Sequence, residues 1–395
     1  MLEVKCEEIK EIERYKEKSQ ISKEEIKAAI EFILKKIDEN IEEFTYKFPA
    51  PASVNNVYEG IDNVDWTSCF WTGMIWLAYE ITGDEKYKKI AELHLESFKQ
   101  RIEEKICIDT HDLGFLYTLT CVSAYKLTGN EEAKLTALKA ADELMKRYFE
   151  KAGIVQAWGD LNDPNQRGRM IIDCCMNLPL LYWASEVTND KKYYEAAYSH
   201  VKQAEKYIIR EDSSTYHTYY MDVETGEPRF GKTAQGYSDD SCWARGQAWG
   251  IYGLPLSYIY TGDEELLNSA CKLANYFINR LPEDEVCYWD LTFIVGNEER
   301  DSSGAAIAVC GLMELSKHLK SDSKYKAIYE NVAPKILKSL INNYTSAEVP
   351  ESNGVLLHSV YAKPDNKGID ECCIWGDYFY FEALVRTIKQ WNLYW

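Results

Sequence analysis

The chain has 395 residues, 46% of them apolar and 28% charged, which is the usual composition of a globular protein. Its formal net charge is −19. An acidic surface repels nucleic-acid phosphates and anionic lipids, so we expect neither nucleic-acid binding nor membrane docking. No apolar run reaches the roughly 20 residues that span a bilayer, and the N-terminus lacks a signal-peptide pattern. We therefore expect a cytoplasmic protein.

The chain is rich in cysteine and in aromatic residues. The 12 cysteines include two adjacent pairs but no CxxC motif, so we expect reduced thiols and no metal site. The 11 Trp and 29 Tyr exceed the needs of a core. Flat aromatic faces predict a cleft for sugars or other amphipathic ligands.

A short motif recurs along the chain in chain order. Each copy ends a helix with Gly or Asn, suited to a left-handed cap, and then has Asp or Asn to cap the next helix. The copies are 79–84, 125–130, 185–190, 258–263 and a degenerate 317–322. Each copy predicts the tight turn of a helical hairpin.

The helix before each turn is apolar and aromatic on all sides, and the helix after it is charged on one face. Helices of the first kind are buried, and helices of the second kind cover them from outside. With the terminal helices included, the count is six inner and six outer helices. We predict an all-α, closed (α/α)6 toroid forming one domain over residues 1–395, with residues 1–20 as an N-terminal arm. An open α-solenoid is the alternative.

The long connections lie at the opposite end from the short turns, and each delivers a carboxylate near the start of an inner helix. These residues are Asp65, Asp112, Asp173, Asp239, Asp240, Asp301, Asp370 and Asp377. Some of them are expected only to cap helices. The longest connection, 211–240, predicts a β-hairpin or ordered flap at the mouth, with a flexible loop as the alternative.

Carboxylates and tryptophans at one end of a helical toroid point to carbohydrate cleavage. Arg245 is a candidate for gripping a substrate carboxylate. An ordinary ion pair with Asp239 or Asp240 is its alternative role.

Four segments resemble motifs of the unsaturated glucuronyl hydrolases, glycoside hydrolase family 88. They are 235–249 (QGYSDDSCWARGQAW), 111–115 (HDLGF), 169–177 around Asp173, and 375–378 (WGDY). The resemblance runs from about residue 64 to the C-terminus. It implies an (α/α)6 barrel that removes a 4,5-unsaturated uronic acid from the non-reducing end of small acidic oligosaccharides.

The resemblance also implies the chemistry. Asp173 is the acid/base that protonates C4 of the double bond and then activates water for attack at C5, after which the hemiketal opens. Asp112 is the second essential aspartate. Neither a metal nor a cofactor is implied. The acid role requires a raised pKa for Asp173, through burial and a neighbouring carboxylate.

Further positions carry over individually from the family. Trp66 and Trp158 resemble rings that pack on the unsaturated sugar, and His111 resembles a residue that orients Asp112. His217 resembles a histidine near the reacting end, with a loop histidine bonded to the flap as the alternative. The residues that resemble substrate-gripping groups are Gln235, Arg245, Trp249 and Lys367.

One loop departs from the family pattern. Members that favour sulfated fragments carry two Ser and a Lys there, whereas this chain has Ala362, Asp365 and Lys367. An aspartate repels sulfate, so we predict unsulfated or lightly sulfated disaccharides, although Lys363 offers a compensating charge. The alternative functions are an unsaturated rhamnogalacturonyl hydrolase acting on pectin fragments, an inverting glycosidase, and a non-catalytic carbohydrate-binding toroid. The sequence does not predict an oligomeric state.

Overall fold

The computed structural model describes residues 4–17 and 20–395. The predicted arm, 1–20, therefore lies partly outside the described residues. The helices in chain order are α1 (Lys23–Phe44), α2 (Ser68–Thr82), α3 (Glu85–Glu103), α4 (Leu113–Tyr117), α5 (Ser123–Thr128), α6 (Glu131–Met145), α7 (Pro179–Thr188), α8 (Lys191–Tyr207), α9 (Ala244–Thr261), α10 (Glu264–Ile278), α11 (Ser302–His318), α12 (Lys326–Asn343) and α13 (Ile374–Ile388). A π-helical turn, Thr118–Val122, joins α4 to α5.

The helices form two concentric layers. The inner layer consists of α2, α4 with α5, α7, α9, α11 and α13, and most of its side chains are buried. The outer layer consists of α1, α3, α6, α8, α10 and α12, each with one buried face. Each inner helix packs against the next, and α13 returns to contact α2. The ring is closed, which confirms the (α/α)6 toroid and rules out the open solenoid.

Four of the five predicted turns have the expected geometry. Gly83, Gly129 and Gly262 end their helices with φ between 68° and 72°, and Asn189 does so with φ 58°. The next residue in each case accepts a backbone N–H of the following helix through its side chain. The fifth turn differs, because α11 ends at an extended Leu319 and α12 begins without a side-chain cap.

Short β-strands lie in the long connections, at one end of the toroid. They are β1 (Phe48–Pro49), β2 (Gly60–Ile61), β3 (Tyr148–Phe149), β4 (Ile154–Val155), β5 (Arg169–Ile171), β6 (Thr218–Met221), β7 (Pro228–Lys232), β8 (Ser359–Ala362) and β9 (Lys367–Glu371). The predicted hairpin in 211–240 is present as antiparallel β6 and β7. Strand β5 pairs with β6 and leads directly into Asp173, so the hairpin is anchored beside that residue.

The segment 4–17 lies against the outer layer rather than extending away from it. Asn275 on α10 donates to the carbonyl of Glu7, and Asn331 on α12 donates to that of Tyr15. Among the described residues, no helix combines the length and the apolar character that crossing a membrane requires.

Candidate active site

A cavity of about 350 Å³ opens among the long connections. Its size is that of a site for a small ligand. Five residues predicted from the sequence line it: Trp66, Asp112, Trp158, Asp173 and Gln235. The remaining wall residues are Val64, Asp65, Arg101, Cys107, Thr110, Ile171 and Tyr361.

Two of the predicted rim aspartates, Asp301 and Asp377, have structural roles, whereas Asp112 does not cap its helix. Asp301 caps α11 by accepting the N–H groups of Ser303 and Gly304. Asp377 is buried and accepts the N–H groups of Val355 and Leu356. Asp112 precedes α4 without accepting any helix N–H, so its carboxylate is available for other contacts.

The carboxylate of Asp112 is stabilised by two neutral donors. The Thr110 hydroxyl donates to its Oδ2 at 2.7 Å, and the Asn177 amide donates to its Oδ1 at 3.3 Å. Burial raises its pKa to about 6, and these donors hold that pKa lower than burial alone would. These donors therefore stabilise the charged form of Asp112.

Asp173 lies in the 3₁₀ turn Ile172–Met176, directly after β5. Its Oδ1 is shielded from solvent and has no hydrogen-bond partner among the described residues. Burial and the charge of Asp112 raise its pKa to about 7. A carboxyl with this raised pKa keeps its proton near neutral pH, as the predicted acid role of Asp173 requires.

Asn177 holds the two aspartate segments together. Its side-chain oxygen accepts the N–H of Phe115 at 2.7 Å, and its amide also reaches the carbonyl of Asp173 at 3.4 Å. The backbone of Asn177 passes so close to Gly114 that a Cβ there would lie 2.4 Å from the Asn177 Cα. The glycine of HDLGF therefore permits the contact that brings Asp112 beside Asp173.

The structure gives Arg245 an ion-pair partner other than the two considered from the sequence. Its guanidinium is 1% exposed and pairs with Asp301 at 2.9 Å, not with Asp239 or Asp240. It also donates to the Gln235 side chain at 2.7 Å and to the Tyr361 carbonyl at 2.6 Å. The guanidinium therefore holds two residues of the cavity wall, and its charge also acts on Asp173. Its predicted grip on substrate stays a prediction.

His217 is buried and bonded to the flap, as its alternative interpretation has it. Its Nδ1 accepts the N–H groups of Ala234 and Gln235 at 3.0 and 3.2 Å. Its carbonyl accepts the N–H of Ile172 at 3.1 Å, next to Asp173. Burial and the charge of Arg245 lower the pKa of His217 to about 3, so the ring is neutral.

His111 is completely buried beside Asp112. Its Nε2 lies 3.4 Å from Asp112 Oδ1 but is not in hydrogen-bonding geometry. Burial, reinforced by the charge of Arg147, lowers its pKa to about 3. His111 thus packs against Asp112 as a neutral ring and does not line the cavity.

The three predicted tryptophans separate into wall and core. Trp66 stacks on Trp375 at 5.3 Å, with its indole N–H donating to the Tyr361 hydroxyl. Trp158 also lines the cavity, and the Arg169 guanidinium lies 4.7 Å from its ring centroid. Trp249 is fully buried against Phe115 and Phe379, so it supports the site from the core and does not touch the cavity.

Lys367 lies outside the cavity, at the start of β9. It is exposed, and its Nζ lies 4.3 Å from the ring centroid of Tyr361. Since Tyr361 lines the cavity, Lys367 reaches the rim without contributing to the wall.

Besides Thr110, which donates to Asp112, sequence reasoning missed two wall residues with clear roles, Arg101 and Tyr361. Arg101 lies in the last turn of α3, and its guanidinium donates to the Asp65 carbonyl at 2.8 Å and to the Cys107 carbonyl at 3.0 Å, which fixes two wall segments. Tyr361 enters through β8. In the sequence, Arg101 is one of many charged residues of an outer helix, and Tyr361 belongs to none of the four family motifs. Neither residue therefore carried a recognisable sign of a site. No group of three His, Cys, Asp or Glu in the described part of the chain is arranged to hold a metal ion.

A family model described as Glycosyl Hydrolase Family 88 matches residues 37–391. The chain belongs to this family. It is therefore a glycoside hydrolase, and the resemblance noted from its four motifs is confirmed. The unsaturated chondroitin disaccharide hydrolase of Streptococcus pneumoniae is 48% identical to this family member over 393 residues, covering 99% of each chain.

Solved structures of the same family agree with the fold. The unsaturated glucuronyl hydrolase of Streptococcus agalactiae matches with a TM-score of 0.97 at 47% identity, covering 100% of this chain and 99% of that one. A variant of that enzyme was solved with dGlcA-GalNAc6S, matching at a TM-score of 0.90 and 44% identity over the same shares. Another relative, holding dGlcA-Glc-Rha-Glc, matches at a TM-score of 0.89 and 40% identity, covering 91% and 96%.

Proposed function

We propose that this enzyme removes a 4,5-unsaturated glucuronic acid from the non-reducing end of lyase-generated disaccharides of the glycosaminoglycan type. The observation that carries the proposal is Asp173, a carboxyl with an unpartnered oxygen in a tryptophan-walled cavity beside Asp112. Relatives spanning the whole chain are named for this class of reaction.

An anionic substrate needs local positive charge, because the overall charge of the protein is negative. Arg101 supplies it at the cavity wall. Its guanidinium bonds amide and backbone oxygens, and no carboxylate among the described residues forms an ion pair with it. Arg147 is buried nearby, and its closest carboxylate, that of the exposed Asp109, is 4.0 Å away. Both charges act on Asp112 and lower its pKa. These two arginines favour a uronic acid over a neutral sugar.

Of Asp112 and Asp173, it is Asp173 that carries a proton when substrate binds. Asp112 accepts bonds from Thr110 and Asn177, which favour its charged form, whereas Asp173 Oδ1 accepts none. In the proposed reaction Asp173 gives its proton to C4, and positive charge develops at C5 and the ring oxygen. The charge of Asp112 stabilises that cation. Asp173 then takes a proton from the water that bonds to C5, and the hemiketal opens with loss of the second sugar.

We propose that the preferred disaccharides are unsulfated or lightly sulfated. Asp365 is exposed in the turn between β8 and β9, and Lys363 is held by Glu298 and Glu299. Lys363 is therefore not free to offset the charge of Asp365, and Lys367 is the cation that is left at this part of the rim. The relative that holds a 6-sulfated disaccharide makes this preference a point to be tested.

The twelve cysteines are free, and ten of them are buried. Unpaired thiols fit a reducing compartment, and on this ground we propose that the enzyme acts in the cytoplasm on imported fragments.

The test measures loss of the ultraviolet absorbance of the unsaturated residue with unsulfated chondroitin disaccharide. We expect turnover by the wild type and a loss of at least about a hundredfold in kcat for Asp173→Asn, with binding retained. Asp240→Asn, an exposed aspartate of the same rim, serves as the matched control and should keep wild-type activity.

Two further substrates and one binding measurement distinguish the alternatives. Faster turnover of unsaturated pectin fragments would favour a rhamnogalacturonyl hydrolase, and hydrolysis of saturated oligosaccharides would favour an inverting glycosidase. Binding without turnover at any pH from about 4 to 8 would leave a carbohydrate-binding toroid, since that range spans both cavity pKa values.

A further inference from the structure

A group of uncharged side chains, three of them exposed and one half-buried, lies outside the cavity. It consists of Tyr237, Phe293, Ile294 and Val295, which we call the rim patch. Tyr237 is 61% exposed, Ile294 53% and Val295 78%. The rings of Tyr237 and Phe293 meet edge to face at 5.1 Å, above the buried ring of Trp289. Clustered exposed apolar groups beside a binding site are a mark of ligand contact.

Two separate chain segments connect the rim patch to the cavity wall. Gln235 lines the cavity, and Tyr237 of the patch follows it by two residues. Tyr361 also lines the cavity, and two residues later the Nζ of Lys363 lies 5.2 Å from the ring centroid of Trp289. From each of these two wall residues, the chain therefore leads within two residues to the rim patch or to the Trp289 ring beneath it.

The two wall residues are themselves neighbours. The Nη2 of Arg245 donates both to the Gln235 side chain and to the Tyr361 carbonyl. The rim patch consequently adjoins the part of the wall formed by Gln235 and Tyr361, and a ligand that fills the cavity and extends past this wall reaches it.

The rim patch is fixed in place. The N–H of Tyr237 donates to Oδ2 of Asp290 at 2.9 Å, and the Ser241 hydroxyl donates to the same oxygen at 2.6 Å. Asp290 is buried and follows Trp289, so its carboxylate ties the Tyr237 loop to the Phe293 loop. A preformed surface loses little freedom when a ligand binds.

The chemistry of the rim patch suits an uncharged sugar. Aromatic and aliphatic faces pack against the C–H surfaces of a pyranose. The cation beside Trp289, Lys363, is paired with Glu298 and Glu299, so it offers no net positive charge to a second uronic acid.

We propose that the rim patch is a distal subsite, which binds an uncharged sugar on the reducing side of the disaccharide held in the cavity. The proposal rests on the proposed function, because the unsaturated residue must occupy the cavity. It predicts that the enzyme processes longer neutral unsaturated oligosaccharides more efficiently than the matching disaccharide.

The test compares kcat/KM for dGlcA-Glc-Rha-Glc with kcat/KM for dGlcA-Glc. We expect the ratio of the two to exceed one in the wild type. It should fall roughly two- to tenfold in Tyr237→Ala, the range of an aromatic stacking contact. Val295→Ser, on the other loop of the patch, should lower the ratio in the same direction. Leu135→Ala removes an apolar residue of similar exposure, 59%, from outer helix α6 and should leave the ratio at its wild-type value.

The outcomes separate the subsite from the function. If the wild type hydrolyses both substrates and neither patch variant changes the ratio, the distal subsite is wrong and the function stands. If Tyr237→Ala lowers both rates equally while Val295→Ser leaves the ratio unchanged, Tyr237 only supports Gln235 and the subsite is again wrong. If the wild type hydrolyses unsulfated chondroitin disaccharide but neither of these two substrates, the distal subsite is wrong and the function stands. If it hydrolyses none of the three, the proposed function fails, and the subsite fails with it.

Discussion

Arg245 donates from one guanidinium nitrogen to the side-chain oxygen of Gln235 at 2.7 Å. The same side chain is paired with Asp301, which caps α11. A cavity residue on a loop is thereby fastened to the start of an inner helix through a buried ion pair. The catalytic end of the toroid owes part of its shape to this connection.

The first prediction concerns Arg245. Arg245→Ala leaves Asp301 buried without a partner, and we expect it to lower the free energy of unfolding by about 3–5 kcal/mol. Arg245→Lys keeps a charge for Asp301 but lacks the planar group that reaches Gln235 and Tyr361. It should destabilise less and still lower kcat/KM by roughly tenfold or more. Denaturant unfolding and steady-state kinetics measure the two effects.

The matched control for these variants is Arg280→Lys, which alters an arginine that pairs with Glu7 on the outer layer. Its activity and stability should stay near the wild type. Wild-type kcat/KM in Arg245→Lys would contradict the positioning role.

The second prediction is the pH dependence of kcat/KM. Asp173 has a pKa raised to about 7 and must be protonated, so activity falls as pH rises through that value. Asp112 has a pKa raised to about 6 and acts in its charged form, so activity also falls as pH drops through that value. The two groups titrate as a coupled pair, and the profile should be a narrow bell.

The Thr110→Val variant tests which carboxylate gives the acid limb. It removes the hydroxyl that donates to Asp112, which raises the pKa of Asp112 and moves the acid limb toward neutral pH. An alkaline limb near pH 4, the range of an ordinary aspartate, would refute the assignment of Asp173 as the acid.

The third prediction is that Asp173→Asn stabilises the fold at neutral pH. The pKa of Asp173 is about 7 in the folded state, against about 3.9 for an ordinary aspartate. The folded state therefore binds this proton more tightly than the unfolded state, and wild-type stability falls as pH rises from about 4 to about 7. Asparagine carries no charge, so the variant should be more stable by roughly 1–3 kcal/mol at pH 8, with little difference at pH 4.

Calorimetric melting temperatures of Asp173→Asn and the wild type across this pH range give the measurement. Asp240→Asn, at an exposed position, should show no such trend. A stability difference that stayed constant from pH 4 to pH 8 would argue against a raised pKa for Asp173.

The fourth prediction concerns sulfate. Asp365→Ser removes the exposed negative charge at the turn between β8 and β9 and should raise kcat/KM for 6-sulfated chondroitin disaccharide by roughly two- to fivefold, the range of one exposed charge interaction. The rate on the unsulfated disaccharide should change little. Asp322→Ser, an exposed aspartate after α11, is the matched control. A clear preference of the wild type for the sulfated substrate would contradict the proposed selectivity.

The sequence by itself determined the toroid and the two aspartates. Left-handed caps at Gly83, Gly129 and Gly262, each followed by a capping residue, are local signals that are readable without any tertiary contact. Helices that are apolar on all sides alternate with helices that are charged on one face, and this alternation required an inner and an outer layer. The HDLGF motif and the segment around Asp173 placed both carboxylates at the same end of the ring.

Only the tertiary structure decided which side chains reach the cavity. Arg245, Trp249, His111 and His217 were singled out from the sequence, and their side chains are almost completely buried. Arg101 and Tyr361 belong to none, yet they form part of it. A motif fixes a residue type at a position along the chain, whereas the direction in which its side chain points depends on partners far away in sequence. Asp301 and the Tyr361 carbonyl, which bind Arg245, are such partners, and they lie 56 and 116 residues further along the chain.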